Sequence, residues 1–274
     1  MTQPILTLND HRPMPQLGLG VWQMPEGRTA EAVGEALRTG YRLIDGAAMY
    51  GNEAGMGQAV RASGLPRDEV FVTSKLWNDQ QGRDRTLRAF DATMQRLGLD
   101  HLDLYLIHWP CPDRGLYVET WKTLIELRDA GRVRSIGVAN FLPPHLIRLI
   151  DETGVAPALN QIELHPGFNQ ADLRAENRRL GIVTQSWAPL GRGEDLAAAP
   201  IRRIAERLEA TPAQVVLAWH LAHGLSAIPK SQDPGRQRGN FGALQVTLSD
   251  DDMAAIDALD TGRRTGPDPA SFNG

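Results

Sequence analysis

Residues 102–139 read LDLYLIHWPCPDRGLYVETWKTLIELRDAGRVRSIGVA, and this stretch decides the fold. An almost unbroken apolar run, LDLYLI, stops on His108. A segment of helical period follows and ends at Gly131, and a second apolar run, SIGVA, stops just before Asn140. A strand that reads as continuously apolar is covered on both faces, and two such strands joined through a helix form a parallel pair.

Outward from this unit the same alternation covers the chain. LGLGVW near Leu17, YRLID, VFVTS, ALNQI, GIVTQSW and LSAIP read as further strands. Between them lie TAEAVGEALRTG, NEAGMGQAVRASG, RDRTLRAFDATMQRLG, PPHLIRLIDE, LRAENRRLG and TPAQVVLAWHLAHG. Helical stretches close on Gly40, Gly64, Gly98, Gly131, Gly181 and Gly224, as a left-handed helix terminus prefers. Eight strand–helix units in about 250 residues predict a (β/α)8 TIM barrel. A doubly wound sheet would carry a glycine-rich phosphate fingerprint after its first strand, and neither Gly18-Leu19-Gly20 nor Gly191-Arg192-Gly193 completes one. No linker interrupts the pattern, so residues 1–274 are expected to form one domain. ILTLND followed by PMPQLG predicts a short N-terminal β-hairpin at the barrel bottom.

The 274 residues carry 29 basic against 33 acidic side chains, a formal charge of −4 with both signs dispersed. That balance points to neither nucleic acid nor an anionic membrane as a partner. One cysteine, Cys111, makes no intrachain disulfide, and Cys/His zinc spacings are absent. The N-terminus lacks a secretory pattern and no apolar run is long enough for a membrane span, so a soluble, cytoplasmic protein is expected.

Barrel chemistry collects where strands end. Asp45 follows YRLI, Lys75 follows VFVTS, His108 follows LDLYLI, Asn140 follows SIGVA, Gln161 and Glu163 lie around ALNQIEL, Trp187 follows GIVTQS and Lys230 follows SAIP. Any one of these alone reads as a solvated loop residue. Three ionisable groups on consecutive strands, roughly 5 Å apart, with Tyr50 on the next loop, read as a site. A phenol of pKa about 10 is a poor acid at neutral pH, and an ammonium at Lys75 is expected to lower it. Asp45 would keep Lys75 charged, and His108 would offer a hydrogen bond to the same oxygen. Such a group holds a carbonyl oxygen and protonates it as charge develops, with Tyr50 as general acid. Reduction also needs a hydride, which points to a nicotinamide cofactor. Trp187 offers a flat face for its ring, Asn140 and Gln161 offer partners for its carboxamide, and Lys230, Ser231, Arg236 and Arg238 cluster as for a phosphate.

At these residues the chain resembles the aldo-keto reductases from about Leu6 to Asn273. DGAAMYGNE is similar to the family's D-x-A-x-x-Y-x-N-E segment, and VFVTSKLW, LDLYLIHWP, IGVANF, NQIELHP, SWAPLGRG and IPKS follow in family order. Within the family the similarity is to bacterial 2,5-diketo-D-gluconic acid reductases. The resemblance implies a (β/α)8 barrel, NADPH as cofactor with NADH weaker, and reduction of carbonyls to alcohols. It also implies catalytic roles for Asp45, Tyr50, Lys75 and His108, with Asn140, Gln161, Trp187, Leu190, Lys230, Ser231, Arg236 and Asn240 binding cofactor. Ala139 stands where a serine commonly assists the carboxamide, Trp187 where a tyrosine commonly stacks, Gly239 where a glutamate commonly meets the adenine, and Gly46 where Thr or Ser is frequent.

Trp22, Trp77 and Trp109 follow the first, third and fourth strands and, with His108, are expected to wall the substrate space. The substrate is expected to be a small carbonyl compound, with sugar ketoacids such as 2,5-diketo-D-gluconate and small dicarbonyls as candidates. The short tail GRRTGPDPASFNG is expected to border an open mouth, and the protein to be a monomer. Three rival readings stand beside this one. A metal-dependent hydrolase needs clustered ligands, and the seven histidines form no HxH pair, so no metal site is expected. A short-chain dehydrogenase needs Y-x-x-x-K, which no tyrosine here supplies. A noncatalytic NADPH-binding sensor or partner-docking barrel remains the alternative.

Overall fold

The computed structural model describes residues 3–274. An antiparallel hairpin, β1 (Ile5–Thr7) and β2 (Pro13–Pro15), comes first. The chain then alternates β3 (Leu19–Gly20), α1 (Glu26–Thr39), β4 (Leu43–Asp45), α2 (Glu53–Ala62), β5 (Phe71–Leu76), α3 (Arg83–Leu97), β6 (Leu102–Ile107) and α4 (Tyr117–Asp129). It continues through β7 (Val133–Ala139), α5 (Pro143–Thr153), β8 (Leu159–Glu163), α6 (Ala171–Arg179), β9 (Val183–Trp187), α7 (Ala199–Arg207), α8 (Pro212–Ala222), β10 (Ser226–Ala227), α9 (Pro234–Phe241) and α10 (Asp250–Asp257). Strands β3 to β10 are parallel, each paired with its sequence neighbours.

The sheet closes on itself. Leu17 bridges Ala227 and Gly20 bridges Lys230, with Gly18 N donating to Ala227 O at 2.9 Å. Gly18 and Gly20, which fail as a phosphate fingerprint, serve this seam. A Cβ on Gly18 would lie 2.5 Å from Leu43 Cγ, and one on Gly20 would lie 2.9 Å from Ile228 O. Inside the barrel Leu43, Phe71, Leu104, Leu106, Ala139, Leu159 and Ile228 pack together with Leu8 and Met14 from the hairpin, which plugs the bottom as expected. A second apolar layer, with Val33, Leu37, Ile44, Phe90, Tyr105, Trp121 and Ile136, joins the strands to the helices.

The glycines singled out in the sequence all have positive φ, for example 61° at Gly98 and 70° at Gly131, and each helix ends one or two residues before its glycine. Three helices were not anticipated. The stretch PGRQRGNF of α9 is mostly polar and carries two glycines, α7 is short, and α10 opens on three aspartates. N-terminal caps explain α9 and α10: Asp233 accepts from Arg236 N, and Ser249 and Asp252 form a capping box. LSAIP contributes only two ladder residues, because its remaining pairing is spent on the seam. None of these helices is long and apolar enough to cross a membrane, among the described residues.

Candidate active site

The alternation of side chains along each strand places Asp45 of β4, Lys75 of β5, Gln161 of β8 and Gln185 of β9 at the upper end of the barrel interior. Lys75 is fully buried. Its Nζ donates to Asp45 Oδ2 at 2.6 Å and to Gly46 O at 2.8 Å. The position of Gly46 thus matters through its carbonyl, which takes one ammonium proton. Tyr50 ends a single 3-10 turn, Ala48–Tyr50, followed by Gly51 at φ 68°. Its ring centroid lies 5.2 Å from Lys75 Nζ and 5.8 Å from the His108 ring.

Two neighbours in the same motif hold this turn. Asn52 Nδ2 donates to Val21 O at 2.9 Å and to Met24 O at 3.1 Å, anchoring the turn to the loop after β3. Glu53 accepts from Ser74 Oγ and pairs with Arg96 at 2.6 Å, anchoring it to β5 and α3. Tyr50 is therefore clamped from both sides over Lys75.

Electrostatically the group is tuned against the simple expectation for the phenol. Burial raises the Tyr50 pKa, the Lys75 ammonium pulls it down, Asp45 pushes it up, and the net shift is upward. The expected lowering by Lys75 is present but outweighed, because removing a phenolate from water costs more than one paired ammonium returns. For Lys75, burial works against the charge, but Asp45 and Tyr50 together hold its pKa above the ordinary value. His108 is pushed well below its usual value by burial and then by Lys75, so the imidazole is neutral. Its Nδ1 is buried without a partner among the described residues. The arrangement is a protonated phenol beside a charged lysine and a neutral imidazole, suited to giving one proton to an oxygen between them.

On the other side of the rim, Asn140 adopts φ 64°, donates to His108 O at 3.0 Å and accepts from Trp187 Nε1 at 2.8 Å. That bond fixes the indole plane. Gln161 Nε2 donates to Asp45 Oδ1 at 2.8 Å and to Gln185 Oε1 at 2.6 Å, which leaves Oε1 without a partner among the described residues. Leu190 is half-buried between two apolar clusters. Lys230 and Arg236 are exposed and form no ion pair among the described residues, whereas Arg238 is drawn away to Glu35 of α1 at 2.6 Å. Ser231 and Asn240 are buried beside them. A half-buried indole, an unpartnered amide oxygen, and two uncommitted cations at the start of α9 fit a nicotinamide dinucleotide phosphate, ring at Trp187 and phosphate at Lys230 and Arg236.

The tryptophans behave differently from one another. Trp77 is half-buried, its ring centroid 5.1 Å from that of His108 in an edge-to-face contact, and Trp109 is buried with the Phe272 ring centroid at 4.6 Å. Trp22 is 41 % exposed and carries the Arg192 guanidinium at 5.6 Å, so the loop after β9 reaches across to the loop after β3. A cleft of about 560 Å³ lies outside the tetrad, between α2 and α3, and shares Met49 and Trp77 with the rim.

The tail, expected from its short length to border an open mouth, is tied down at the rim. Glu163 Oε1 accepts from Thr265 N at 2.6 Å and Oε2 from Gly266 N at 3.0 Å, and Asn273 bonds Asp113 at 2.8 Å, so the tail crosses the rim. A fully buried His165 stands behind it, 2.6 Å from Asp195 and 3.5 Å from Glu163, and Arg263 bonds Asp195 at 3.0 Å. His165, Asp195 and Arg263 were not singled out in the sequence, because the partners are scattered between residues 163 and 266. The strand-end position of Glu163 was the one available signal. His220 lies in the core between Ser186 Oγ at 3.1 Å and Pro189 O at 2.9 Å.

A profile described as the Aldo/keto reductase family matches residues 15–261. An aldo-keto reductase of Mycolicibacterium smegmatis is 53% identical over 98% of each chain. A protein named methylglyoxal reductase DkgA from Yersinia pestis is 50% identical, again over 98% of each. Among solved structures, a Gox0644 mutant in complex with NADPH superposes with a TM-score of 0.96 at 48% identity, over 99% of both chains.

Proposed function

The chain belongs to the aldo/keto reductase family, and from that premise we propose that it reduces aldehydes or ketones to alcohols at the Tyr50 site with NADPH. The observation that carries the reading is the buried Lys75–Asp45 pair at 2.6 Å, held 5.2 Å from the ring of Tyr50. When bound, NADPH supplies the hydride. Tyr50 supplies the proton: its raised pKa keeps the hydroxyl protonated at neutral pH, and the adjacent ammonium stabilises the phenolate left behind. Neutral His108 offers the carbonyl oxygen a hydrogen bond without competing for that proton. Trp187, Asn140 and Gln161 orient the nicotinamide, and Lys230 and Arg236 take phosphate, with Ser231, Asn240 and Leu190 lining the path. Asp45 holds Lys75.

The substrate we favour is a small carbonyl compound with polar ends, a dicarbonyl such as methylglyoxal or a sugar ketoacid such as 2,5-diketo-D-gluconate. Three observations support this: the tail is bonded to Glu163 at the rim, Trp77 stands against His108, and relatives carry the methylglyoxal reductase name. The test is Tyr50→Phe, assayed by NADPH oxidation against a carbonyl panel. Turnover should fall about 10²-fold or more while NADPH still quenches tryptophan fluorescence. Undiminished turnover in that variant removes the mechanism, and NADPH binding without turnover of any carbonyl by the wild type replaces it with a sensor.

A further inference from the structure

At the upper end of the barrel interior, buried side chains from five strands form one directed chain of hydrogen bonds. Gln185 of β9 donates through Nε2 to Ser226 Oγ of β10 at 2.9 Å. Its Oε1 accepts from Gln161 Nε2 of β8 at 2.6 Å, and the same nitrogen donates to Asp45 Oδ1 of β4 at 2.8 Å. Asp45 Oδ2 takes the Lys75 ammonium at 2.6 Å. Gln161 and Gln185 are partners in register, as are Gln185 and Ser226, so the strands deliver these contacts without distortion.

The direction of the chain is forced. An ionised carboxylate only accepts, so Gln161 must turn its nitrogen to Asp45. Gln185 must then meet that nitrogen with oxygen, because nitrogen against nitrogen would leave two buried donors facing each other. The Gln161 oxygen is left over, and it has no partner among the described residues.

We propose that Gln185 is a positioning residue for carbonyl reduction: it sets the amide of Gln161, which then steadies Asp45 behind Lys75 and presents its oxygen to the carboxamide N–H of the cofactor. This rests on the functional reading above. An amide torsion has a broad, roughly two-fold profile, so Gln161 needs an external acceptor to hold one orientation. Asp45 decides which end of the amide faces it; Gln185 supplies a second acceptor for the same nitrogen and holds the amide plane in that orientation. The proton-donating half of the site and the cofactor-holding half thereby share one side chain.

Gln185→Leu, Gln185→Glu and Ser226→Ala test this, each measured for thermal midpoint, kcat, the pH dependence of kcat and NADPH affinity by fluorescence quenching. Glutamate keeps an acceptor toward Gln161 in either protonation state, and Ser226 can reverse its hydroxyl, so Gln185→Glu should remain within a few-fold of wild type. Gln185→Leu should lose about tenfold in kcat and weaken NADPH by a similar factor, because a loosened Gln161 misplaces both halves. The alkaline limb of its pH profile should move to lower pH, since an Asp45 that drifts from Lys75 no longer supports the ammonium. Ser226→Ala should move the same quantities in the same direction by less, and it decides the matter if Gln185→Leu does not fold. Gln185→Leu with wild-type kcat, pH limb and NADPH affinity overturns the proposal. So does Gln185→Glu as impaired as Gln185→Leu. Should the wild type turn over no carbonyl, the functional reading falls, and NADPH affinity alone then decides: equal affinities for Gln185→Leu and Gln185→Glu overturn the role of Gln185.

Discussion

Two buried carboxylate–cation clusters sit on opposite sides of the same rim, built from the same kinds of residue. Asp45 and Lys75 lie on adjacent strands, and every partner of Asp45 is a side chain, Lys75 on one oxygen and Gln161 on the other. Glu163 and Asp195 are joined through His165, and their other acceptor positions go mostly to main-chain N–H groups at 167, 265 and 266, with the Thr265 hydroxyl and Arg263 beside them. The first cluster holds a charge next to a phenol at the mouth. The second spends its charges on closing a loop and a tail. Residue type does not separate chemistry from scaffolding in this barrel; the nature of the partners does.

Lys75→Met should show the sharpest contrast. It leaves Asp45 buried with Gln161 alone, so stability should fall by about 3–5 kcal/mol in denaturant unfolding, and turnover should drop about 10²-fold or more, because Tyr50 loses the charge that accepts its phenolate. A stable, active Lys75→Met variant would erase the distinction between the two clusters. Glu163→Gln should touch the other side only. Turning one acceptor into a donor that faces the tail N–H groups should cost about 1–3 kcal/mol and expose the amides of Thr265 and Gly266 to hydrogen exchange. Its kcat should stay far closer to wild type than that of Lys75→Met.

Acid should unpick the second cluster. Burial opposes the Glu163 charge, but His165 and the Thr265 and Gly266 bonds hold its pKa at about 2 against an ordinary 4.5. A depressed carboxylate contributes stability that is complete above pH 4.5 and is lost as pH falls toward 2. His220 is pushed down to about 3 from 6.5 by burial, so the native state binds fewer protons than the unfolded chain below pH 6.5 and stability falls there too. His165 runs the other way: burial opposes its charge, Asp195 and Glu163 raise its pKa, and its contribution is full below pH 6.5 and lost as pH climbs through the raised value. Unfolding free energy should therefore decline from about pH 6.5 downward, and Glu163→Gln should flatten the portion between 4.5 and 2. An unchanged curve in that variant would place the acid sensitivity elsewhere.

The smallest expected effect joins the two sides. Gly266 lies against the indole of Trp187, with no room for a Cβ beside Cη2. Gly266→Ala must shift the ring or the tail, and NADPH should bind about three- to tenfold more weakly. Unaltered affinity, read by fluorescence quenching, would mean that the tail yields and the ring does not.

Local pattern carried most of the architecture. Apolar runs such as LDLYLI and helix-ending glycines such as Gly131 act through interactions within one element, so strand order and helix ends are readable before folding. The strand-end residues Asp45, Lys75 and His108 were readable for the same reason, since strand order makes them neighbours. Helix α9 was not readable, because its sequence has weak helical preference and the Asp233 cap becomes decisive only once the segment docks.

By itself, the sequence determined that the strands run parallel, that they close near eight, and which polar groups stand at their ends, because those follow from periodicity and order along the chain. Only the tertiary structure decided which partners those groups keep. Gln185 reaches Asp45 through Gln161, Glu163 meets a tail about a hundred residues away, and burial overrides Lys75 at the phenol. Each outcome depends on which donors and acceptors the closed barrel shuts away from water together, and no local spacing encodes that.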